Sequence, residues 1–370
     1  MSSSRNFGLD LIRCIAIGLV VFSHGMYFIY PFVPELPLGG GNALHLYHLG
    51  HAGAMGVELF FVLSGFLIGG LLLRLGDRLG RGRELLRFYI RRWFRTLPNY
   101  YVFLALNVAL WGALRYLPPF LLFLQNLTAN HVTFFPESWS LGVEEWFYVV
   151  FPLLTWLFLQ LRFRFDAAFL TAGGLLYGLS TVLRFFYAAN PGNDWAGGMR
   201  IITVLHFDGL MTGIFAAWLS LRHPRAFNAF PRACAVMGIA LFLFCYATIF
   251  WHGAHNETLF ARTVRFNLIS LGMVLVFPWA VRGARYSGIL ARPVEHLARW
   301  SYAMYFLNLP LFHLVSERLF PRSQSSALQG WLAFFILEGG VILAAAFWYT
   351  VFERPTTALR DRFCAASGSS

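Results

Sequence analysis

Apolar runs close to the twenty or so residues needed to cross a bilayer recur along the whole chain, and many of them end in aromatic residues of the kind that sit at a membrane interface. In lipid such a run can satisfy its backbone hydrogen bonds internally only as a helix, so the pattern predicts an all-α, polytopic integral membrane bundle. About ten runs are recognisable, at approximately 9–30, 54–75, 97–117, 141–161, 167–187, 202–221, 231–250, 264–281, 300–319 and 330–352. One further piece, Pro118 to Leu127, holds about ten apolar residues and is too short to cross; it reads as a re-entrant or interfacial segment near 118–127. A soluble chain of 370 residues would need more surface charge than the 12% charged residues present here beside 58% hydrophobic ones.

The formal net charge of +12 would suggest nucleic acid if it lay in one stripe. Instead every basic residue is an arginine, and the arginines fall in alternate connections, the pattern that orients a membrane protein. Arg74, Arg78, Arg81, Arg83, Arg87, Arg91, Arg92 and Arg95 crowd one connection, whereas residues 14–73 hold none. The first is therefore expected in the cytoplasm and the second outside. Arg222, Arg225 and Arg232, then Arg282, Arg285, Arg292 and Arg299, and finally Arg354, Arg360 and Arg362 continue the cytoplasmic set. Ten spans would leave both termini inside. The first span carries Asp10 and Arg13 in its first turns without a convincing small-residue cleavage site, so it is expected to be retained and not removed as a signal peptide. Cys14, Cys234, Cys245 and Cys364 show neither redox-pair nor zinc spacing. With no internal repeat and no long polar segment, residues 1–370 are expected to form one transmembrane domain, with 367–370 as a disordered Ser/Gly tail.

Charges at membrane depth cost about 2.5–3.5 kcal/mol each on insertion scales, so the ionisable residues inside the runs mark where function should be sought. Arg13 and His24 are eleven residues apart on the first run, about 20° from three full turns and about 16 Å along the axis, so they share a face. The structural alternative is that Arg13 pairs with Asp10 near the interface while His24 makes a helix-to-helix hydrogen bond. Glu58 lies near the outer end of the second run, where it could orient the imidazole of His24 or merely meet the helix dipole. The fourth run begins Ser138-Trp139-Ser140, with Ser140 as a candidate cap, and carries Glu144 and Glu145 in its first turns. Adjacent positions are about 100° apart, so only one of these carboxylates is expected to face the interior.

Arg92 and Arg95 lie one helical turn apart where the cytoplasmic arginine cluster meets the third run, and guanidinium pairs suit phosphate. Topology and anionic lipid would also account for single arginines there. His45, His48 and His51 in the first outer loop are better read as loop histidines than as metal ligands, since no nearby carboxylate completes a set. No nucleophile elbow, phosphate loop with a lysine or dinucleotide fingerprint is present.

Taken in order, these segments resemble the membrane-bound acyltransferase family 3, whose members O-acylate sugars of exported glycans, lipopolysaccharide, peptidoglycan and some small molecules. The resemblance covers most of the chain. It is carried by Leu9-Asp10-Leu11-Ile12-Arg13 with His24, by Gly56 to Phe66, by Arg92-Trp93-Phe94-Arg95 with Pro98, and by Ser138 to Tyr148. Ser301 to Pro310 is similar to the family's tyrosine-rich late span, and Phe352-Glu353-Arg354-Pro355 to its closing motif. Asn308 departs from the family where many relatives carry histidine, which puts in doubt any proton-handling role of that position. No fused hydrolase-like domain is expected to follow.

The resemblance implies that His24 is the catalytic histidine and that Glu144 belongs to the active site; either Glu58 or Glu144 is expected to stabilise the imidazolium that forms. It implies that Arg13, Arg92 and Arg95 hold an acyl-CoA donor, expected to be acetyl-CoA, with no metal. The expected partners are that donor, a carbohydrate or glycan acceptor and membrane lipid, and the expected location is the bacterial inner membrane. A small-molecule or lipid acceptor is the alternative within this class. A proton-coupled secondary transporter is the alternative from another, because His, Glu and Arg inside a membrane also form proton relays.

Overall fold

The computed structural model describes residues 5–32, 36–39, 42–44, 50–112, 114–190, 192–193, 198–252, 258–282, 289, 291–321 and 326–359. Helix dominates. In chain order the helices are α1 Phe7–Gly25, α2 Ala52–Leu75, α3 Gly82–Trp111, α4 Leu117–Leu121, α5 Ser138–Gln160, α6 Phe165–Ala188 and α7 Asp208–Arg222. They continue with α8 Pro224–Phe227, α9 Pro231–His252, α10 Leu259–Arg262, α11 Val264–Leu275, α12 Phe277–Arg282, α13 Ala291–Leu314 and α14 Ala327–Trp348. Among the described residues the only sheet is a short antiparallel pair, β1 Leu36–Gly39 and β2 Asn42–Leu44, with Leu36 opposite Leu44.

Among the described residues, seven stretches are helical, long and apolar enough to cross a membrane: Phe7–Phe28, Ala52–Gly80, Ser138–Gln160, Phe165–Ala188, Pro231–Thr248, Val264–Arg282 and Ala327–Leu359. The other three apolar runs are helical too, as parts of α3, α7 and α13, and composition explains why they stand apart. Both α3 and α13 join arginine-bearing turns to apolar ones in a single helix. At 15 residues α7 is about 22 Å long, short of a hydrocarbon core of about 30 Å. The piece near 118–127 forms the single turn and a half of α4 and then irregular backbone, far too short to cross.

The chain divides into two compact units, one made by Met1–Phe60, Leu243–Ala254 and Trp279–Val351, the other by Phe61–Phe242, His255–Pro278 and Phe352–Ser370. In the first unit α1 packs on α13 and α14, which pack on each other. Asn6 caps α1, its Oδ1 accepting from Leu9 N at 3.1 Å. Ile12, Ala16, Ile17, Val20 and Val21 then form the buried stripe that helical spacing dictates. The start of α2 lies close against α1, where a side chain at Gly56 would run into the Ala16 carbonyl. In the second unit α5 packs on α6, α6 on α7, α7 on α11 and α3 on α5. There α2 and α7 approach backbone to backbone: a side chain at Gly65 would collide with the Leu210 carbonyl, and one at Gly213 with the Val62 carbonyl.

Candidate functional site

In the first unit, α1 runs unbroken from Phe7 to Gly25, so Arg13 and His24 keep the shared face that their spacing dictates. At the helix start the buried Asp10 carboxylate is gripped by Arg5, Nε to Oδ2 at 2.8 Å and Nη2 to Oδ1 at 2.9 Å, and more loosely by Arg13 Nη1 at 3.4 Å. The Asp10 pairing read from the sequence as the structural alternative for Arg13 is therefore present. At the other end His24 is half-buried, and its Nδ1 lies 2.6 Å from the side-chain amide Nδ2 of Asn308, a fully buried residue of α13. The ring packs beside Phe312, one turn further along α13, at a centroid distance of 5.9 Å. Glu58 is 3% exposed and occupies the second turn of α2, whose first turn holds no acidic residue. A helix-end anion would sit nearer the terminus.

In the second unit, α2, α3 and α5 assemble a polar cluster. The Ser64 hydroxyl of α2 donates to Glu144 Oε1 of α5 at 2.6 Å. The Arg92 guanidinium of α3 lies 4.1 Å from the ring centroid of Tyr148 on α5, a cation–π contact with a buried ring. Glu145 is 5% exposed and lies within reach of the Thr96 hydroxyl and the Arg92 charge. Glu145 is buried and Glu144 only partly so, though both reach side chains of neighbouring helices. Their separation of about 100° holds, but protein lies on both sides of α5, with α2 on the Glu144 side and α3 on the Glu145 side. Arg95, one turn beyond Arg92, is exposed at the surface, and its charge acts on the buried carboxylate of Glu353. That joins the arginine pair to the closing motif of the sequence.

Ser140 is not the cap expected for α5. The helix begins at Ser138, so Ser140 lies in its first turn and its hydroxyl donates to the Glu137 carbonyl at 3.4 Å. The entry of α5 is fixed instead by the segment after α4. Asn126 Nδ2 donates to the carbonyls of Trp139 at 2.8 Å and Ile201 at 2.7 Å, and the Asn126 carbonyl accepts from Thr203 N at 2.8 Å. Trp146 Nε1 donates to the Phe123 carbonyl at 2.9 Å. These bonds satisfy irregular backbone where water is scarce, which is the condition for keeping it in a membrane protein.

Sequence reading missed a second buried network in this unit. Arg184 on α6 and Asp208 at the start of α7 form a two-pronged ion pair, Nη1 to Oδ2 at 2.9 Å and Nη2 to Oδ1 at 2.5 Å, with side chains 0% and 2% exposed. Arg184 also donates to the Leu205 carbonyl and lies 4.3 Å from the Phe266 ring centroid. Asn267 Nδ2 donates to Asp208 Oδ2 at 3.2 Å and to the Tyr177 hydroxyl at 2.8 Å. Both charges fall inside sequence-expected runs, 167–187 and 202–221, so applying the membrane-charge rule to every run would have found them.

The residues singled out from the sequence thus belong to two sets: Arg13, His24 and Glu58 in the first unit, and Arg92, Arg95 and Glu144 in the second. No group of three or more His, Cys, Asp or Glu side chains suited to a metal occurs among the described residues. His45 and His48, like the tail at 367–370, lie outside the described residues.

Comparison with known proteins adds an independent line. A family model described as "Acyltransferase domain", the third of that type, matches residues 6–351. A Staphylococcus aureus (strain COL) protein named "Putative O-acetyltransferase" is 31% identical over 169 residues, which cover 39% of this chain and 28% of that protein. A Listeria monocytogenes serovar 1/2a protein named peptidoglycan O-acetyltransferase is 24% identical over 310 residues, covering 75% of this chain and 48% of that protein. The match therefore spans less than half the length of either relative. No solved structure matches the chain.

Proposed function

The chain belongs to acyltransferase family 3, and from that membership we propose that it is an integral membrane O-acyltransferase carrying an acyl group from cytoplasmic acyl-CoA to an acceptor hydroxyl outside. The donor is acetyl-CoA and the acceptor a sugar of an exported or cell-envelope glycan. The names of the two relatives support acetyl transfer, and that of the Listeria protein supports a glycan. Residues 1–370 act as one transmembrane domain with ten crossings: the seven long apolar helices together with α3, α13 and α7, the last lengthened by the apolar segment from residue 202 that leads into it. The alternate arginine clusters support both termini in the cytoplasm of a bacterial inner membrane.

The observation that carries the mechanism is the Asn308 amide against His24 Nδ1 on a membrane helix. His24 acts as general base. Its Nε2 takes the proton from the acceptor hydroxyl as the oxygen attacks the thioester carbonyl, and the imidazolium returns that proton to the departing coenzyme A sulfur when the C–S bond breaks. A base working through Nε2 carries its own proton on Nδ1, which donates to an acceptor. Asn308 supplies that acceptor when its amide is turned by 180°, exchanging Oδ1 and Nδ2 in place. Glu58, in the same unit as His24, offsets the positive charge that forms on the ring. Arg92 and Arg95 grip the donor phosphates at the cytoplasmic mouth, and Arg13 lines the path shared with His24.

Two tests follow. Arg92→Gln and Arg95→Gln should each raise the KM for acetyl-CoA about tenfold, with the acceptor KM little changed, as expected for loss of one charge-assisted contact. An unchanged donor KM in both variants would remove the phosphate role. Asn308→Leu should lower kcat about 10- to 100-fold with the donor KM retained, and Asn308→His should recover most of it, because imidazole can also accept from Nδ1–H. Equal loss in the leucine and histidine variants would mean that the position serves packing alone.

A further inference from the structure

In the first unit the 22 residues of α14 carry one ionisable side chain, Glu338, at the middle of the helix. A carboxyl group at that depth is unfavourable unless something bonds it or uses it. Its surroundings are set by the packing of α14 on α1. Phe334 and Glu338, one turn apart on α14, press against Gly25 so closely that a Cβ there would lie 2.7 Å from the Phe334 ring and 2.9 Å from Glu338 Oε1. Only glycine leaves that room. Glu338 Oε1 is buried, and among the described residues none gives it a hydrogen bond. A buried oxygen left in that state lowers stability, whereas a methionine of similar length would fill the space without that loss. Packing alone does not account for the carboxylate, and such local violations collect at functional sites.

We infer that Glu338 binds the acceptor: its free oxygen accepts a hydrogen bond from a hydroxyl next to the one that is acylated, so that the enzyme favours sugars over alcohols with a single hydroxyl. The inference rests on the proposed reaction and adds a residue to its acceptor side. His24 immediately precedes Gly25, so the base and this oxygen stand about 100° apart on one turn of α1, the base toward α13 and the oxygen toward α14. Helices α13 and α14 pack on each other, so both groups border one meeting of three helices. Neighbouring hydroxyls of a single sugar ring can reach both. Beyond His24, the Phe312 ring lies 5.1 Å from that of Tyr27 and 5.6 Å from that of Phe28. Such rings supply the apolar surface that covers the C–H face of a sugar while a few polar groups orient it.

The experiment uses the full chain in membranes from cells whose own copy is deleted, where the natural acceptor is at hand, and follows label from acetyl-CoA into the glycan fraction. Glu338→Met should lower the maximal rate about 10- to 100-fold with the donor KM unchanged, as expected for loss of one hydrogen bond to a charged group. The same variant, solubilised in detergent, should unfold at the wild-type temperature or above it. Glu338→Gln should stay within about fivefold of the wild-type rate, because its amide oxygen also accepts from a hydroxyl. A methionine variant that transfers label at the wild-type rate, or that loses rate only in step with a lower unfolding temperature, would overturn the inference. So would an equal loss with glutamine, which would make charge or a proton the required property. A wild-type chain that transfers no label ends the acyl-transfer reading and the inference with it; transfer that survives undiminished in Glu338→Met ends the inference alone.

Discussion

Replacing His24 with alanine should lower acyl transfer by about 10²–10⁴-fold while the protein inserts and accumulates normally. The separation of the two effects is what gives the substitution its value. His24 is half-buried in the last turn of α1, not part of the tightly packed stripe of Ile12, Ala16, Ile17, Val20 and Val21, so its removal leaves the main packing surface intact. One hydrogen bond to Asn308 is lost, worth about 1 kcal/mol net to stability. In the proposed mechanism the chemistry loses its base entirely. The same variant divides two routes. If His24 only removes a proton, labelled donor without acceptor leaves no label on the wild-type protein; if it is itself acylated, label accumulates on the wild type and vanishes in the variant. Activity near wild type in the alanine variant would exclude both.

The second large effect is expected far from that histidine. Arg184→Leu should sharply reduce the amount of folded protein recovered from membranes, because it leaves the Asp208 carboxylate buried and without its guanidinium. Breaking one side of a buried ion pair costs about 3–5 kcal/mol, a large share of the stability of a folded chain. The pair also fixes backbone: Arg184 holds the Leu205 carbonyl, and Phe207 N donates to the Ser180 hydroxyl at 3.0 Å, tying the segment before α7 to α6. Arg184→Met combined with Asp208→Leu should recover most of the yield, since it removes both charges together. Detergent-solubilised thermal unfolding measures this directly. If the double variant is no more stable than Arg184→Leu, the loss comes from volume and backbone contacts and not from the stranded charge.

Much of the fold was legible because lipid imposes a simple rule on sequence: each apolar run must close its own hydrogen bonds. Every run read that way is helical. What the runs could not give was length and partnership. The arginine-rich start of α3 is continuous with its apolar end, which no hydropathy boundary reveals. Ser140 looked like a cap because caps are read from local sequence, whereas the start of α5 is set by Asn126, more than ten residues earlier in the chain. In the candidate site the ionisable residues were visible one by one, through the cost of burying charge. Their partners were not, because the contacts of Ser64 with Glu144 and of His24 with Asn308 span 80 and 284 residues of chain. Asn308 marked itself only as a departure from the family pattern, and its place beside the imidazole is a tertiary fact.

The proposed transfer crosses the membrane, from a thioester on the arginine-rich face to a hydroxyl on the other. Proteoliposomes with the protein in one known orientation, loaded with a glycan acceptor and given labelled acetyl-CoA outside, test it most directly. With the Arg74–Arg95 connection facing the outer medium, label should appear on the enclosed glycan, and His24→Ala vesicles should show none. Labelling that proceeds equally well when donor and acceptor are both confined to the face opposite Arg92 and Arg95 would rule out transfer across the bilayer.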